Sequence, residues 1–421
     1  MKTKAVRLYG VLDLRLEEFE LPPLKDDEIL AKVVSDSICM STYKAAIQGP
    51  NHKRVPHDID RKPIIVGHEF CGEILQVGKK WRDKYKEGSK FAIQPALNEK
   101  SNPYASLGYS FQYIGGCATY IIIPNVVMEQ NCLLNYEGVS YYHGSLAEPT
   151  SCIIAAFHSN YHTTAGSYVH SMGIKEGGNM AILAGAGPMG IGAIDYAIHC
   201  DRKPNLLIVT DIDQSRLDRA ASIYTPEKAK KNGVNLIYVN TAAIEDPTAY
   251  LLSLTDGKGY DDVFVFAAVK PVVEQADAIL GKDGCLNFFA GPTNTKFNAN
   301  LNFYNVHYNS THIVGTSGSN TNDMLESLQL MERGQIDPSS MITHIGGLNS
   351  AIETTLNLPN IPGGKKLIYT NIELDLTPLN ELKEKGKTNK MFHELASILE
   401  SNNGLWCTEA EKYLLKNAKQ I

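Results

Sequence analysis

Residues 180–213 read MAILAGAGPMGIGAIDYAIHCDRKPNLLIVTDID, and this stretch decides the fold. A short apolar run, Met180–Ala184, ends in the glycine turn Gly185-Ala186-Gly187-Pro188-Met189-Gly190. Ile191–Cys200 has the length and apolarity of a helix, and Leu206–Val209 reads as a second buried strand that closes on Asp211. Strand, tight turn, helix, strand and acidic residue in that order make a dinucleotide-binding βαβ unit. Gly185 permits the sharp exit from the strand, Gly187 lets backbone approach a pyrophosphate, and Gly190 lets the helix pack closely. Pro188 and Met189 belong to the same cofactor-binding turn, and the N-terminus of the helix that follows offers unpaired N–H groups and a positive dipole end to the phosphates. Asp211 accepts hydrogen bonds from the adenosine ribose and repels a 2′-phosphate, which predicts NAD(H). Arg216 and Arg219 follow closely enough to leave use of NADP(H) open.

Outward from this unit, 421 residues are enough for two domains with substantial cores. Apolar residues make up 43% of the chain and charged residues 20%, the balance of an ordinary globular protein and not of a disordered one. A net charge of −6 offers no broad basic face, so nucleic acid is not an expected partner. No apolar run approaches a membrane span, and the charged start MKTKAVRLYG reads as the beginning of a strand rather than a signal peptide. Eight scattered cysteines form neither a disulfide framework nor a CxxC pair, which fits a reducing cytoplasm.

Before the βαβ unit, Ala5–Leu8, Leu12–Glu17 and Ile29–Ser35 are short strand-like runs, and they predict a small barrel-like domain. Ser37–Thr42 turns into a helix through Ala45-Ala46, Ile74–Val77 is another strand, Gly88–Ile93 reads as a turn and the strand that follows it, and order returns at Gly115–Pro124. Residues 95–114 lack periodicity and read as a surface excursion. Pro149 is placed as the first residue of a helix, a position where its missing N–H costs nothing. Beyond Asp213, strands at Leu236–Val239, Asp262–Ala267, Leu286–Ala290 and His312–Val314 bring the sheet to six. Asp323–Glu332 and Leu348–Asn357 read as helices, and Gly363-Gly364-Lys365 turns into a last core strand. Met391–Leu399 and Thr408–Leu415 are amphipathic helices of a polar, lysine-rich tail.

Cys39, His68, Glu69 and Glu148 offer sulfur, imidazole and carboxylate, a mixed set suited to zinc. Their wide spacing suits a catalytic ion held between elements better than a structural finger. Each residue also has a plainer reading. Cys39 serves as a buried small hydrophobe, His68 as a core histidine, and Glu148 as a helix cap. Glu69 is harder to explain without a partner, because burying its charge is costly. His158 and His162, four apart, could share a helical face without the HExxH pattern. Lys44, Lys53, Arg54 and Lys270 are possible phosphate partners or solvated surface charges.

Taken together, Cys39 with Ser41, Gly67-His68-Glu69, Gly116-Cys117-Ala118-Thr119-Tyr120, Glu148-Pro149, the glycine turn, Asp211 and Gly364-Lys365 resemble the zinc-dependent medium-chain dehydrogenase/reductase family, in its polyol dehydrogenase branch. The resemblance covers about residues 1–370. It implies an α/β plus β architecture with a GroES-like catalytic domain (1–161), a doubly wound Rossmann domain (162–315), a return to the catalytic domain (316–370) and a C-terminal helical extension (371–421). It implies one catalytic zinc on Cys39, His68 and Glu148, with Glu69 binding directly or through water, and Ser41 opening a proton relay. Residues 95–115 contain no cysteine, so the second, structural zinc of many relatives is not expected. Thr42 stands where an aspartate is frequent. The activity implied is NAD(P)H-dependent reduction of the C2 ketone of L-sorbose 1-phosphate to D-glucitol 6-phosphate, with unphosphorylated polyols such as sorbitol or xylitol as the alternative substrates. Relatives are dimers or tetramers, so a homo-oligomer is implied. A non-catalytic NAD-binding structural or regulatory protein is the rival class.

Overall fold

A computed structural model describes all 421 residues, Met1–Ile421, as two compact units: 1–149 with 320–421, and 150–319. The first unit opens with strands β1 (Lys2–Gly10), β2 (Asp13–Glu20) and β3 (Ile29–Ile38), then helix α1 (Met40–Gln48). Strands β4 (Ile64–Ile65), β5 (Phe70–Val77), β6 (Lys90–Ile93) and β7 (Tyr120–Ile123), helix α2 (Asn125–Glu129), strand β8 (Leu133–Tyr136) and the long helix α3 (Tyr141–Ser159) follow. The division between units falls inside α3. The second unit holds a hairpin, β9 (Tyr161–Thr163) and β10 (His170–Met172), before β11 (Asn179–Leu183), α4 (Pro188–His199) and β12 (Leu206–Asp211). Helices α5 (Gln214–Ile223) and α6 (Pro226–Lys231) lead to β13 (Asn235–Asn240), α7 (Pro247–Ser253) and β14 (Tyr260–Val265). Helix α8 (Lys270–Ala278), β15 (Leu280–Phe288), α9 (Phe303–Tyr308) and β16 (His312–Val314) complete it.

Back in the first unit come α10 (Thr321–Glu332), β17 (Ile342–Gly347), α11 (Ala351–Asn357), β18 (Lys365–Tyr369), β19 (Ile372–Glu373) and β20 (Thr377–Pro378). The chain finishes with α12 (Leu382–Lys385), α13 (Lys390–Ser401), α14 (Thr408–Asn417) and β21 (Lys419–Gln420).

The second unit is one parallel sheet in the order β13-β12-β11-β14-β15-β16. That order reverses at β11, the arrangement of a doubly wound dinucleotide fold. Its strands are nearly continuous apolar runs because helices cover both faces of a parallel sheet; β12 is buried along its whole length.

In the first unit, the organising strand is β3. It pairs antiparallel with β5, β7 and β18, so its residues 33–38 are buried throughout. Antiparallel pairing brings opposite chain ends together. Lys366 lies opposite Ile38, and Asp36 opposite Phe70. The end of β3 at Cys39, the entry to β5 at Glu69 and the start of β18 at Lys365 therefore lie at the same end of three neighbouring strands. Register alone gathers three chemically active residues from distant parts of the chain.

Three local expectations need correction. Residues 95–114 are irregular, yet Leu97, Ala105, Leu107, Tyr109 and Ile114 are buried; the excursion packs its apolar residues inward at spacings that no repeat reveals. Pro149 lies inside α3 and not at its start, so the Ser145 carbonyl lacks its helical donor. Helix α3 begins earlier because Glu411, from α14, caps it: its carboxylate accepts from the N–H groups of Tyr141 (2.7 Å) and Tyr142 (3.1 Å). Burial pushes that carboxyl up to about 7, against the pull of the two N–H donors. His158 and His162 share no helical face, since α3 ends at Ser159. His162 lies on β9, paired with Asp262 (3.2 Å) and the Asp283 carbonyl (3.0 Å).

The C-terminal helices are part of the core. Trp406 is fully buried and donates to the Tyr369 hydroxyl at 2.8 Å, in an apolar cluster with Tyr142, Leu146, Leu367 and Leu395. No helix is long and apolar enough to cross a membrane.

Candidate active site

Cys39 precedes the first turn of α1 in extended conformation, and its carbonyl accepts the Thr42 N–H at 3.0 Å. Gly67 turns the chain into His68 with φ +95°; a Cβ there would come within 2.4 Å of an Asp36 carboxylate oxygen. Only glycine allows that approach. The Glu69 N–H then donates to Asp36 at 3.2 Å, which fixes the segment against β3. One ligand atom each from Cys39, His68 and Glu69 lies within 4.8 Å of the others.

The electrostatics of this cluster favour a cation. Burial pushes the Cys39 thiol up to about 12, and the charges of Glu69 and Glu148 add to the shift. Burial also pushes His68 down to about 4, so the imidazole stays neutral and keeps a lone pair for a metal. A thiolate in these surroundings needs positive charge beside it. Sulfur, nitrogen and oxygen donors in a desolvated cluster fit zinc.

Glu69 already has a partner. The Lys365 ammonium reaches both carboxylate oxygens, at 2.5 and 2.7 Å, and the two side chains are 6% and 1% exposed. Burial alone would raise the Glu69 carboxyl; Lys365 and His68 overcome it and hold it below the usual range. Glu148, buried on α3, lies outside the three-residue cluster, although its charge is felt at Cys39 and Lys365.

His68 is held from both sides. The Thr42 hydroxyl lies 3.3 Å from Nδ1 and the Tyr109 hydroxyl 3.3 Å from Nε2. Thr42 thus orients the imidazole through a neutral group. Burial pushes the Tyr109 hydroxyl up, and the Ser41 side chain acts against that shift. Neither Tyr109 nor Lys365 was singled out as a site residue by sequence. Tyr109 sits in aperiodic chain. Lys365 was visible in the Gly364-Lys365 pair and as a charge at the start of a core strand, where burial is costly without a partner.

The glycine turn works somewhat differently from expectation. The left-handed residue is Ala184, with φ +54°. Gly185 is needed for space, since a Cβ would meet Ile182 Cγ2 at 2.5 Å. Gly190 approaches the turn itself, where a Cβ would stand 2.1 Å from the Gly185 carbonyl oxygen. A Cβ on Gly187 would touch no protein atom, so the backbone there offers an open face. Pro188 is the first residue of α4, whose N-terminus has no side-chain cap. These features fit a pyrophosphate.

Asp211 ends β12 and accepts from the N–H groups of Ala186 (3.2 Å), Ile212 (2.9 Å) and Asp213 (3.1 Å). It ties the second strand to the glycine turn. Arg216 is exposed and lies 3.5 Å from the Asp213 carboxylate. Next to Asp211, Ile212, Thr241, Ala242, Pro271 and Val272 line a pocket of about 450 Å³. Met189 follows Pro188 in the first turn of α4.

Residues 25–131 match the family described as alcohol dehydrogenase GroES-like domain, and residues 188–333 match zinc-binding dehydrogenase. The chain is 54% identical over 415 residues to mannitol-1-phosphate 5-dehydrogenase of Aliivibrio fischeri, covering 99% of this chain and 98% of the relative. It is 49% identical over 419 residues to L-sorbose 1-phosphate reductase of Klebsiella pneumoniae, covering 100% and 98%. Neither stands apart from the other. Among solved structures, 2R,3R-butanediol dehydrogenase of Bacillus subtilis superposes with a TM-score of 0.69 at 21% identity, over 88% of this chain and 100% of that one, and so shares the fold.

Proposed function

This chain belongs to the zinc-binding medium-chain dehydrogenase/reductase family, in its polyol and sugar-phosphate branch, and we propose that it reduces the C2 ketone of L-sorbose 1-phosphate to D-glucitol 6-phosphate with NAD(P)H. The observation that carries this reading is the near full-length likeness to enzymes named for phosphorylated hexose derivatives, in a chain that retains the Cys39–His68–Glu69 cluster.

Cys39, His68 and Glu148 would hold a zinc ion, with Glu69 kept beside it by Lys365. When bound, zinc supplies Lewis acidity toward the ketone oxygen and the nicotinamide supplies hydride. Thr42 fixes the plane of the His68 ring. Ser41 Oγ passes a proton toward the oxygen of the reacting carbon. In the cofactor unit, Gly187 and the α4 N-terminus would take the pyrophosphate, and Asp211 would accept from the ribose hydroxyls.

A second reading has its own support. The name of the Aliivibrio relative places reaction at carbon 5 and phosphate on carbon 1, four carbons away, whereas C2 of L-sorbose 1-phosphate is adjacent to its phosphate-bearing carbon. Following NADH and NADPH at 340 nm with L-sorbose 1-phosphate, L-sorbose and D-fructose, and with D-mannitol 1-phosphate in the oxidative direction, separates the possibilities. Preference for L-sorbose 1-phosphate is the expected result. Faster turnover of D-mannitol 1-phosphate would move the assignment to the second reading, and equal or better rates with free sugars would remove the phosphate requirement.

Cofactor choice is tested at Asp211. Asp211→Ala should raise KM for NADH about 10-fold or more, because charge-assisted hydrogen bonds are worth roughly 1.5–3 kcal/mol each. It should also narrow the NADH/NADPH gap. A higher KM for both cofactors with unchanged preference would show that the carboxylate serves only to anchor the turn through Ala186.

A further inference from the structure

Beside the metal cluster, the loop after α1 meets the buried part of residues 95–114. The Arg54 guanidinium lies over the Tyr109 ring, 5.4 Å from its centroid, and the His52 ring stacks near the same ring at 5.7 Å and 13°. The Lys53 ammonium lies 5.6 Å from the Tyr104 ring centroid. The loop is pinned, because Ser110 Oγ donates to the Arg54 carbonyl at 2.8 Å and the Arg54 N–H donates to His52 Nδ1 at 3.3 Å. The hydroxyl of Tyr109 reaches His68. The basic loop is therefore one tyrosine ring away from a candidate metal ligand.

Arg54 and Lys53 bring two positive charges together here. Neither Arg54 nor Lys53 forms an ion pair. Lys44, on α1, adds a third cation to the same neighbourhood: burial first, then Arg54, Lys53 and Lys44, pushes His52 down to about 4. Lys270, by contrast, lies 3.7 Å from Glu274 on its own helix. Arg54 on its aromatic bed keeps the planar fork of donors that suits a phosphate monoester.

We propose that Arg54 and Lys53, reinforced by the charge of Lys44, clamp the phosphate of the sugar-phosphate substrate beside Tyr109. This rests on the phosphorylated-substrate reading above.

The test uses zinc-loaded, full-length protein and compares wild type with Arg54→Gln, Arg54→Lys and Lys53→Gln. The quantity read is the ratio of kcat/KM for L-sorbose 1-phosphate to that for L-sorbose. Inhibition by inorganic phosphate gives a second readout. Arg54→Gln should lower the ratio about 10-fold or more, Lys53→Gln a few-fold, and Arg54→Lys by an intermediate amount, with phosphate inhibition weakening in the same order. Raising salt should lower the wild-type ratio, because the clamp is electrostatic and partly exposed. Equal losses on both sugars, or undiminished phosphate inhibition, would overturn the clamp by reducing Arg54 to a packing partner of Tyr109. A wild-type enzyme that prefers free sugars would overturn the parent reading and the clamp with it, whereas a wild-type preference that survives in both glutamine variants overturns the clamp alone. Lys53 is exposed, so its variant keeps the test decisive even if Arg54→Gln folds poorly.

Discussion

Cys39→Ser is expected to leave a folded protein with substoichiometric zinc and ketone reduction lowered by at least about a hundredfold. Even residues that only orient a metal ligand typically cost about 10- to 100-fold when replaced, and Cys39 is the only sulfur donor in the cluster. A serine hydroxyl is a harder donor and much less acidic than a thiol, so it gives zinc a weaker bond. The surroundings sharpen the difference, because burial and two neighbouring carboxylates already oppose ionisation of the Cys39 side chain. Titration of NADH by fluorescence should change little, since the glycine turn and Asp211 belong to the other unit. Normal zinc content with full activity would remove Cys39 from the ligand set.

Lys365→Met should destabilise the protein by about 3–5 kcal/mol, the usual consequence of stranding one member of a buried ion pair. For a chain of this size the melting temperature should fall by roughly 4–6 °C. The sign of its pH dependence follows from Glu69. In the wild type the Glu69 carboxyl is held below its ordinary value of 4.5, so its contribution is complete above 4.5 and is lost as pH falls through the lower folded value. Without Lys365, the largest pull against burial is gone and that carboxyl moves up. The variant is then penalised most at neutral pH, and the gap in melting temperature to wild type should close as acid protonates Glu69. Adding Glu69→Gln to Lys365→Met should recover part of the loss by removing the stranded charge. A variant as stable as wild type at pH 7 would mean that the pair contributes nothing to folding.

The parts of the molecule legible in advance are those with local physical signatures. The apolar runs of β11 and β12, the glycine turn between them and Asp211 could be read directly, because strand burial and tight backbone approach each demand particular residues within a few positions. The chemistry of Cys39, His68 and Glu69 was visible as a donor set, and the structure brings those three together. Glu148 was named beside them, and its carboxylate stands outside the tight cluster.

What the tertiary structure alone decided is the choice of partners. Lys365 lies 296 residues from Glu69 in sequence, and Glu411 lies 270 from the helix end it caps; neither distance leaves a trace in periodicity. Tyr109 reaches His68 from a segment with no repeat at all. Residue type and spacing specify which side chains must be buried and which of them can bind a metal or a phosphate. Strand register specifies which buried charge meets which, because β18, β3 and β5 must pair before the ends carrying Lys365, Cys39 and Glu69 come side by side.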